Sequence, residues 1–158
     1  MTRFVDSHCH FDEVVEDGRV GEGLEDAKAN GVQKVVAIGG GPDANQRVTQ
    51  LTRQFPEQVV GTVGLDRDWA GHAYALEPLK PMLEGSPGIV GVGETGLDYH
   101  HLDDDTEPQK TLFRDMLELA ARARKPTVIH SRDAEDDTLS LLREHVHAWS
   151  GDPGAVGG

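Results

Sequence analysis

The chain has 158 residues, enough for one domain with a sizeable core but short of the roughly 200 or more of a complete eight-stranded α/β barrel. A formal net charge of −13 excludes a protein that coats DNA through a basic surface, but not an enzyme whose bound cations contact phosphate. A single cysteine excludes an intrachain disulfide, and without an apolar leader or a membrane-length apolar run we expect a soluble, cytoplasmic protein with no membrane contact.

Five short runs of β-branched and other apolar residues predict β-strands, with longer segments of helical period between them. The predicted strands cover residues 4–6, 34–38, 58–63, 89–92 and 127–130. Strands that are apolar along their whole length are typical of parallel sheets with both faces covered. Strict alternation of strand and helix therefore predicts a parallel α/β fold, either doubly wound or closed into a barrel.

The helices are predicted from apolar residues that recur every three or four positions. A weaker helix is predicted over residues 76–83, because two prolines interrupt it. The glycine run that follows the second strand lacks the Lys-Ser/Thr pair of a phosphate-binding loop, so we interpret it as a tight strand-to-helix turn. The apolar stripes are Ala44, Val48, Leu51 and Phe55; Leu112, Phe113, Met116, Leu117 and Ala120; and Leu139, Leu142 and Val146.

Two histidines follow the first predicted strand, in the sequence Asp-Ser-His-Cys-His. Residues two apart in a strand face the same way, so His8 and His10 can converge on one metal ion while Cys9 points away from it. The alternative is that two histidines happen to share a loop. The carboxyl end of a parallel strand favours the metal site, because active sites of barrels and open sheets gather there.

A carboxylate follows the fourth predicted strand, between two glycines. Glu94 could ligate one metal ion or bridge two, and the glycines would let the backbone approach a bound group. The alternative is a solvated acidic residue in a loop. Asp98, four residues further on, could orient a metal ligand or cap the following turn.

The fifth predicted strand ends in a histidine followed by Ser-Arg. His130 would lie on the same rim as the other candidate ligands, and the planar fork of Arg132 suits phosphate. Trp69 and His72 lie in a loop near this rim and are candidates for substrate contact.

These three segments together resemble the successive signatures of the TatD family of metal-dependent hydrolases, in the family's order. The segments are residues 4–12 (FVDSHCHFD), 90–99 (VGVGETGLDY) and 128–132 (VIHSR). The resemblance implies a parallel (β/α) TIM-barrel fold, partial, with about five of the eight βα units. It places the barrel in residues 1–149 and leaves residues 150–158 as a flexible, glycine-rich tail.

The resemblance also implies an activity and a set of ligands. It implies a deoxyribonuclease or phosphodiesterase that acts through metal-activated water on DNA or on a small phosphate or amide substrate. His8 and His10 would bind one divalent ion, His130 a second, and Glu94 would bridge them; Zn, Mn, Mg, Fe and Co all suit such ligands. Glu94 and Arg132 would act in catalysis.

The chain also departs from the family pattern. The family has His-Pro after the third strand, where this sequence has Asp66-Arg67. A further histidine ligand and a catalytic aspartate, which the family places after strands six and eight, have no counterpart in this sequence. The alternative is therefore a catalytically impaired fragment that associates with itself or with a complementary half through open sheet edges. A flavodoxin-like binding domain also fits the length, but leaves the placement of the candidate ligands unexplained.

Overall fold

The computed structural model describes residues 3–11, 18–100 and 105–148. These ranges contain five strands, five α-helices and one short 3₁₀ turn, which alternate along the chain. In chain order they are β1 (Phe4–Cys9), α1 (Val20–Ala29), β2 (Val32–Ala37), α2 (Pro42–Gln54), β3 (Val59–Val63), the 3₁₀ turn (Arg67–Trp69), α3 (Leu79–Gly85), β4 (Ile89–Asp98), α4 (Glu107–Ala123), β5 (Thr127–Arg132) and α5 (Glu135–Ala148). The predicted tail, residues 150–158, lies outside the described residues.

All five strands are parallel and lie side by side in chain order, β1-β2-β3-β4-β5. A doubly wound sheet would reverse its strand order at a switch point, which this sheet does not do. Sequential parallel strands joined by helices form a sheet that curls as part of a barrel. The predicted TIM-barrel-type fold with five βα units is therefore confirmed, and the flavodoxin-like alternative is wrong.

The main core lies between the sheet and the helices. Val59, Val63, Ile89 and Val92 are fully buried there, against apolar residues of α2, α3 and α4. The predicted stripe of α4 is buried throughout. Burial of large apolar side chains stabilises the fold by about 1.5–3 kcal/mol for each side chain.

The predicted stripe of α5 is wrong in part. Leu139 and Val146 are about half exposed, and the helix instead buries Leu141 and Thr138. Leu141 joins a second apolar cluster with Leu97 and other residues of β4 and α4. The observed buried face is rotated from the predicted one because α5 packs against α4 as well as β5.

The fourth strand is much longer than predicted. It runs for ten residues to Asp98, so Glu94 lies inside the strand rather than after its end. Two glycines with positive φ angles, Gly93 at +140° and Gly96 at +131°, allow the strand to follow this path. A Cβ on Gly96 would lie 2.2 Å from the His130 carbonyl oxygen, so the glycine lets β4 approach β5.

One turn follows the prediction and one helix does not. Gly41 precedes Pro42 at the start of α2, which confirms the tight turn after β2. The helix predicted over residues 76–83 begins later, at Leu79, because Pro78 occupies the position before its first turn.

Among the described residues, no helix combines the length and apolar character needed to cross a membrane.

Candidate metal centre

His8 and His10, at the carboxyl end of β1, converge as their spacing predicts. His8 lies within the strand and His10 directly after it, and their Nε2 atoms are 3.1 Å apart. Both side chains are roughly half exposed, at 42% and 51%. Cys9, between them, packs against the main core on the other side of the strand. Two imidazole nitrogens therefore face one point at the rim of the sheet.

Glu94 lies between these histidines and the third one. Its Oε2 atom is 3.6 Å from the Nε2 atoms of both His8 and His10, and its Oε1 atom is 3.1 Å from Nδ1 of His130. Glu94 itself is buried, because it sits in the middle of the sheet. One carboxylate oxygen of Glu94 therefore faces His8 and His10, and the other faces His130.

His130 is held between two carboxylates. Its Nδ1 atom faces Glu94, and its Nε2 atom lies 2.9 Å from Oδ2 of Asp98. Strand β5 extends two residues beyond His130, to Arg132, so the prediction that His130 ends the strand is wrong. Its side chain nevertheless faces the predicted site, because β4 and β5 align Gly96 with His130.

The donor set fits a divalent metal ion. One ligand atom from each of His8, His10 and Glu94 lies within 4.8 Å of the other two, and these three alone form such a group in the described part of the chain. Two nitrogens bound to one tetrahedral zinc ion at about 2.0–2.1 Å would be about 3.3 Å apart, close to the observed 3.1 Å. His130 is outside this group but contacts its carboxylate.

Asp98 is an ionised partner of His130. Burial favours the neutral acid, but hydrogen bonds from the His130 ring and the His100 N–H, with the charge of Arg67, lower the pKa of Asp98 below its ordinary value. Of the two roles predicted for Asp98, orientation of a ligand fits this contact. It also holds the next turn through the His100 N–H.

Arginines approach the site from two elements. Arg132 follows His130 at a spacing of two residues, so the two side chains share a face of β5. The intervening Ser131 bonds to Thr138 of α5 and marks the opposite face. Arg67, which stands where the family has proline, places its Nε atom 3.6 Å from Oδ2 of Asp98. Sequence reasoning missed Arg67, because only the fold brings the turn after β3 beside β4.

Two buried amides hold the loops that carry the site, and sequence reasoning missed both. The side-chain oxygen of Asn45 accepts hydrogen bonds from the backbone N–H groups of Gly40 and Gly64. Its side-chain NH₂ group donates to the Gly64 backbone carbonyl. Gln109 likewise accepts from the N–H of Asp98 and donates to its carbonyl. A helical Asn or Gln offers no sequence signal that distinguishes such a bond from exposure to water.

Comparisons with known proteins point to the same family. The family profile described as TatD related DNase matches residues 5–154. The metal-dependent hydrolase YjjV of Escherichia coli K12 is 33% identical over 96% of this chain and 62% of its own length. The 3′-5′ ssDNA/RNA exonuclease TatD of Erwinia tasmaniensis is 31% identical over 76% of this chain and 47% of its own.

The fold of a solved relative agrees with the one described above. The crystal structure of YjjV superposes with a TM-score of 0.82 and 30% identity, and covers 97% of this chain and 62% of YjjV. The chain therefore spans less than two thirds of the length of YjjV.

Proposed function

Because the chain belongs to the TatD-related DNase family, whose curated relatives include metal-dependent hydrolases, we propose that it hydrolyses phosphodiester bonds in DNA. The observation that carries this proposal is the convergence of His8, His10 and Glu94 within 4.8 Å at the rim of the sheet. Nitrogen and oxygen ligands of this kind suit Zn, Mn, Fe and Co, and Mg less well.

Two ions would be held by four side chains. His8 and His10 would bind the first ion, His130 the second, and Glu94 would bridge them, since its two oxygens face the two sides. Divalent ions so held supply Lewis-acid chemistry: they polarise a phosphoryl oxygen and lower the pKa of a coordinated water molecule. Glu94 would fix their positions from the buried centre of the sheet, which is why we assign it a catalytic role.

The protein's own cation would stabilise charge on the substrate. Arg132 shares the face of His130 and is exposed, so its planar guanidinium can bind two phosphate oxygens at once. Asp98 would keep the His130 ring in one orientation through the 2.9 Å contact. DNA is favoured over amide substrates because a relative carries the name of a single-stranded DNA and RNA exonuclease.

The test is cleavage of an end-labelled, single-stranded DNA oligonucleotide by the purified chain with Mn²⁺ or Mg²⁺. We expect cleavage that EDTA abolishes and that the His8→Ala/His10→Ala double variant lacks. The Arg132→Gln variant should cleave at least tenfold more slowly, because loss of a charge-assisted contact costs about 1.5–3 kcal/mol.

A matched control uses histidines at the same spacing elsewhere. His145 and His147 lie in the last turn of α5, so the His145→Ala/His147→Ala variant should cleave as fast as the wild type. Cleavage that survives both EDTA and loss of His8 and His10 would contradict the proposal.

A second candidate is a non-catalytic role in association with a second copy or a complementary polypeptide. The specific observation is that β1 exposes apolar side chains at its open edge, Phe4 by 55% and Val5 by 62%. In the described part of the chain, β1 pairs only with β2. Unpaired apolar strands are templates for association. A folded chain that associates but cleaves no DNA would favour this candidate.

A further inference from the structure

A cavity of about 360 Å³ opens directly beside the candidate metal ligands. His10 lines it on one side, the glycine loop before α2 on another, and Asp66 and Trp69 on a third. Its volume lies within the range of about 300–1,000 Å³ that small-molecule sites occupy. A larger cavity of about 570 Å³ lies between α2 and α3 and contains none of the candidate ligands.

The glycine loop packs closely against two residues that line this cavity, Asp66 and Trp69. A Cβ on Gly41 would lie 2.6 Å from the Trp69 indole nitrogen, and a Cβ on Gly40 would lie 2.9 Å from Oδ2 of Asp66. The backbone of Gly40 and Gly41 therefore packs directly against the carboxylate and the indole. The part of the Trp69 ring that lines the cavity offers an aromatic surface on which a flat group can stack.

The charge of the cavity excludes phosphate as its occupant. Asp43, Asp66 and Asp68 all line it. Burial, together with the charges of Asp68 and Glu94, raises the pKa of Asp66 above its ordinary value although the Asp68 N–H and Arg67 oppose this. A lining that contains three aspartates repels anions and accepts hydrogen bonds from N–H donors. Arg67, by contrast, contacts Asp98 and does not line this cavity.

A nucleobase matches both the aromatic side chain and the carboxylates of the lining. It is flat, it presents amino or imino N–H donors, and its π-face stacks on indole without regard to base identity. We propose that the cavity formed by His10, the Gly39–Gly41 loop, Asp66 and Trp69 binds the nucleobase next to the cleaved phosphodiester. The proposal rests on the proposed function, because His10 would place the phosphate of the same nucleotide beside the cavity.

The test compares two single strands that differ only in their bases. One is a cleavage-resistant, phosphorothioate-linked DNA tetranucleotide, and the other is the same sugar–phosphate chain without bases. Binding to the Mn²⁺-loaded protein is followed by the quenching of Trp69 fluorescence in a Trp149→Phe background, which removes the second of the two tryptophans. Fluorescence anisotropy of labelled strands gives the same affinities independently.

We expect the wild type to bind the strand with bases about 5- to 150-fold more tightly than the baseless one, as stacking of one base predicts. Trp69→Leu should bring this ratio close to one without changing the affinity for the baseless strand. Trp69→Phe, which keeps an aromatic face, should retain most of the ratio. The matched control is Phe55→Leu, since Phe55 packs against the same core at the other end of α2.

The outcomes separate this inference from the proposed function. Equal affinity of the wild type for both strands overturns the inference, as does an equal loss for both strands in Trp69→Leu. The His8→Ala variant addresses the proposed function, because His8 is a candidate metal ligand that does not line the cavity, and its loss should weaken binding of both strands equally. If the wild type binds neither strand, the inference and the proposed function both fail.

Discussion

The three central strands and the two outer strands of the sheet differ sharply. Strands β3 and β4 bury most of their residues, β2 buries Val35 and Ala37, and Ala37, Val59 and Ile89 are fully buried. Strand β1 is exposed from Phe4 to His8, and no residue of β5 is fully buried. Three of the four predicted ligands nevertheless belong to the outer strands or follow them, and only Glu94 lies in the centre.

This difference assigns different tasks to the two regions. The central strands bury Glu94, whose exposed side-chain fraction is only 10%. The outer strands bring more exposed imidazoles to it, with exposed side-chain fractions between 25% and 51%. A metal ion held by His8, His10 and Glu94 would bind the folded state and join β1 to β4, so we expect it to stabilise the edge more than the centre.

The largest expected effect comes from breaking the junction between the centre and the β5 edge. Gly96→Ala places a Cβ against the His130 carbonyl oxygen at a φ of +131°. We expect it to lower the free energy of unfolding by about 2–4 kcal/mol, measured by chemical denaturation.

The control for this variant is a glycine substitution that we expect to stabilise the protein. Gly23 is an exposed position in α1 where a Cβ would meet nothing within 4 Å. Gly23→Ala should raise the free energy of unfolding by about 0.5–1 kcal/mol. Equal effects of the two substitutions would show that the approach of β4 to β5 does not need a glycine.

A smaller effect on unfolding is expected at the β1 edge. Phe4→Ser/Val5→Thr should change the free energy of unfolding by less than about 1 kcal/mol, since both side chains are exposed. The same variant should shift any self-associated form toward monomer in sedimentation velocity. Gln33→Ser, at an exposed position of β2, is the control and should leave the distribution unchanged.

The smallest effect concerns pH and the contact of α4 with α5. Hydrogen bonds from Lys110 and Tyr99 lower the pKa of Asp137. The stabilisation by the ionised Asp137 side chain is therefore fully present above the unfolded-state pKa of about 3.9. It is lost as the pH falls through the lower pKa of the folded state. Asp137→Asn should therefore cost below about 1 kcal/mol at pH 7, because the side chain is 40% exposed, and nothing at pH 2. A cost that is equal at both pH values would contradict this assignment.

The sequence predicts the centre of this fold better than its rim. Apolar runs and helical stripes depend on burial, so the five units and the buried face of α4 followed from the pattern. The exposed Leu139 of α5 did not, because a periodic stripe carries no information about which neighbour covers it. The length of β4 was missed for another reason: glycines and a glutamate read as a loop unless the neighbouring strand is known.

The candidate site divides in the same way. His8 and His10 converge because a strand's period of two brings them together locally. Arg67, Asn45 and Gln109 act across the fold, through contacts with Asp98 and Gly64. Their roles depend on tertiary neighbours, which spacing along the chain does not encode.

The central claim is that His8, His10 and Glu94 form a metal site, and calorimetric titration of Zn²⁺ into chelator-treated protein tests it most directly. The account predicts that the wild type and His145→Ala/His147→Ala bind Zn²⁺ with the same affinity, and that His8→Ala/His10→Ala loses this binding. Retention of wild-type affinity by His8→Ala/His10→Ala would contradict the account, because the ion would then be bound elsewhere.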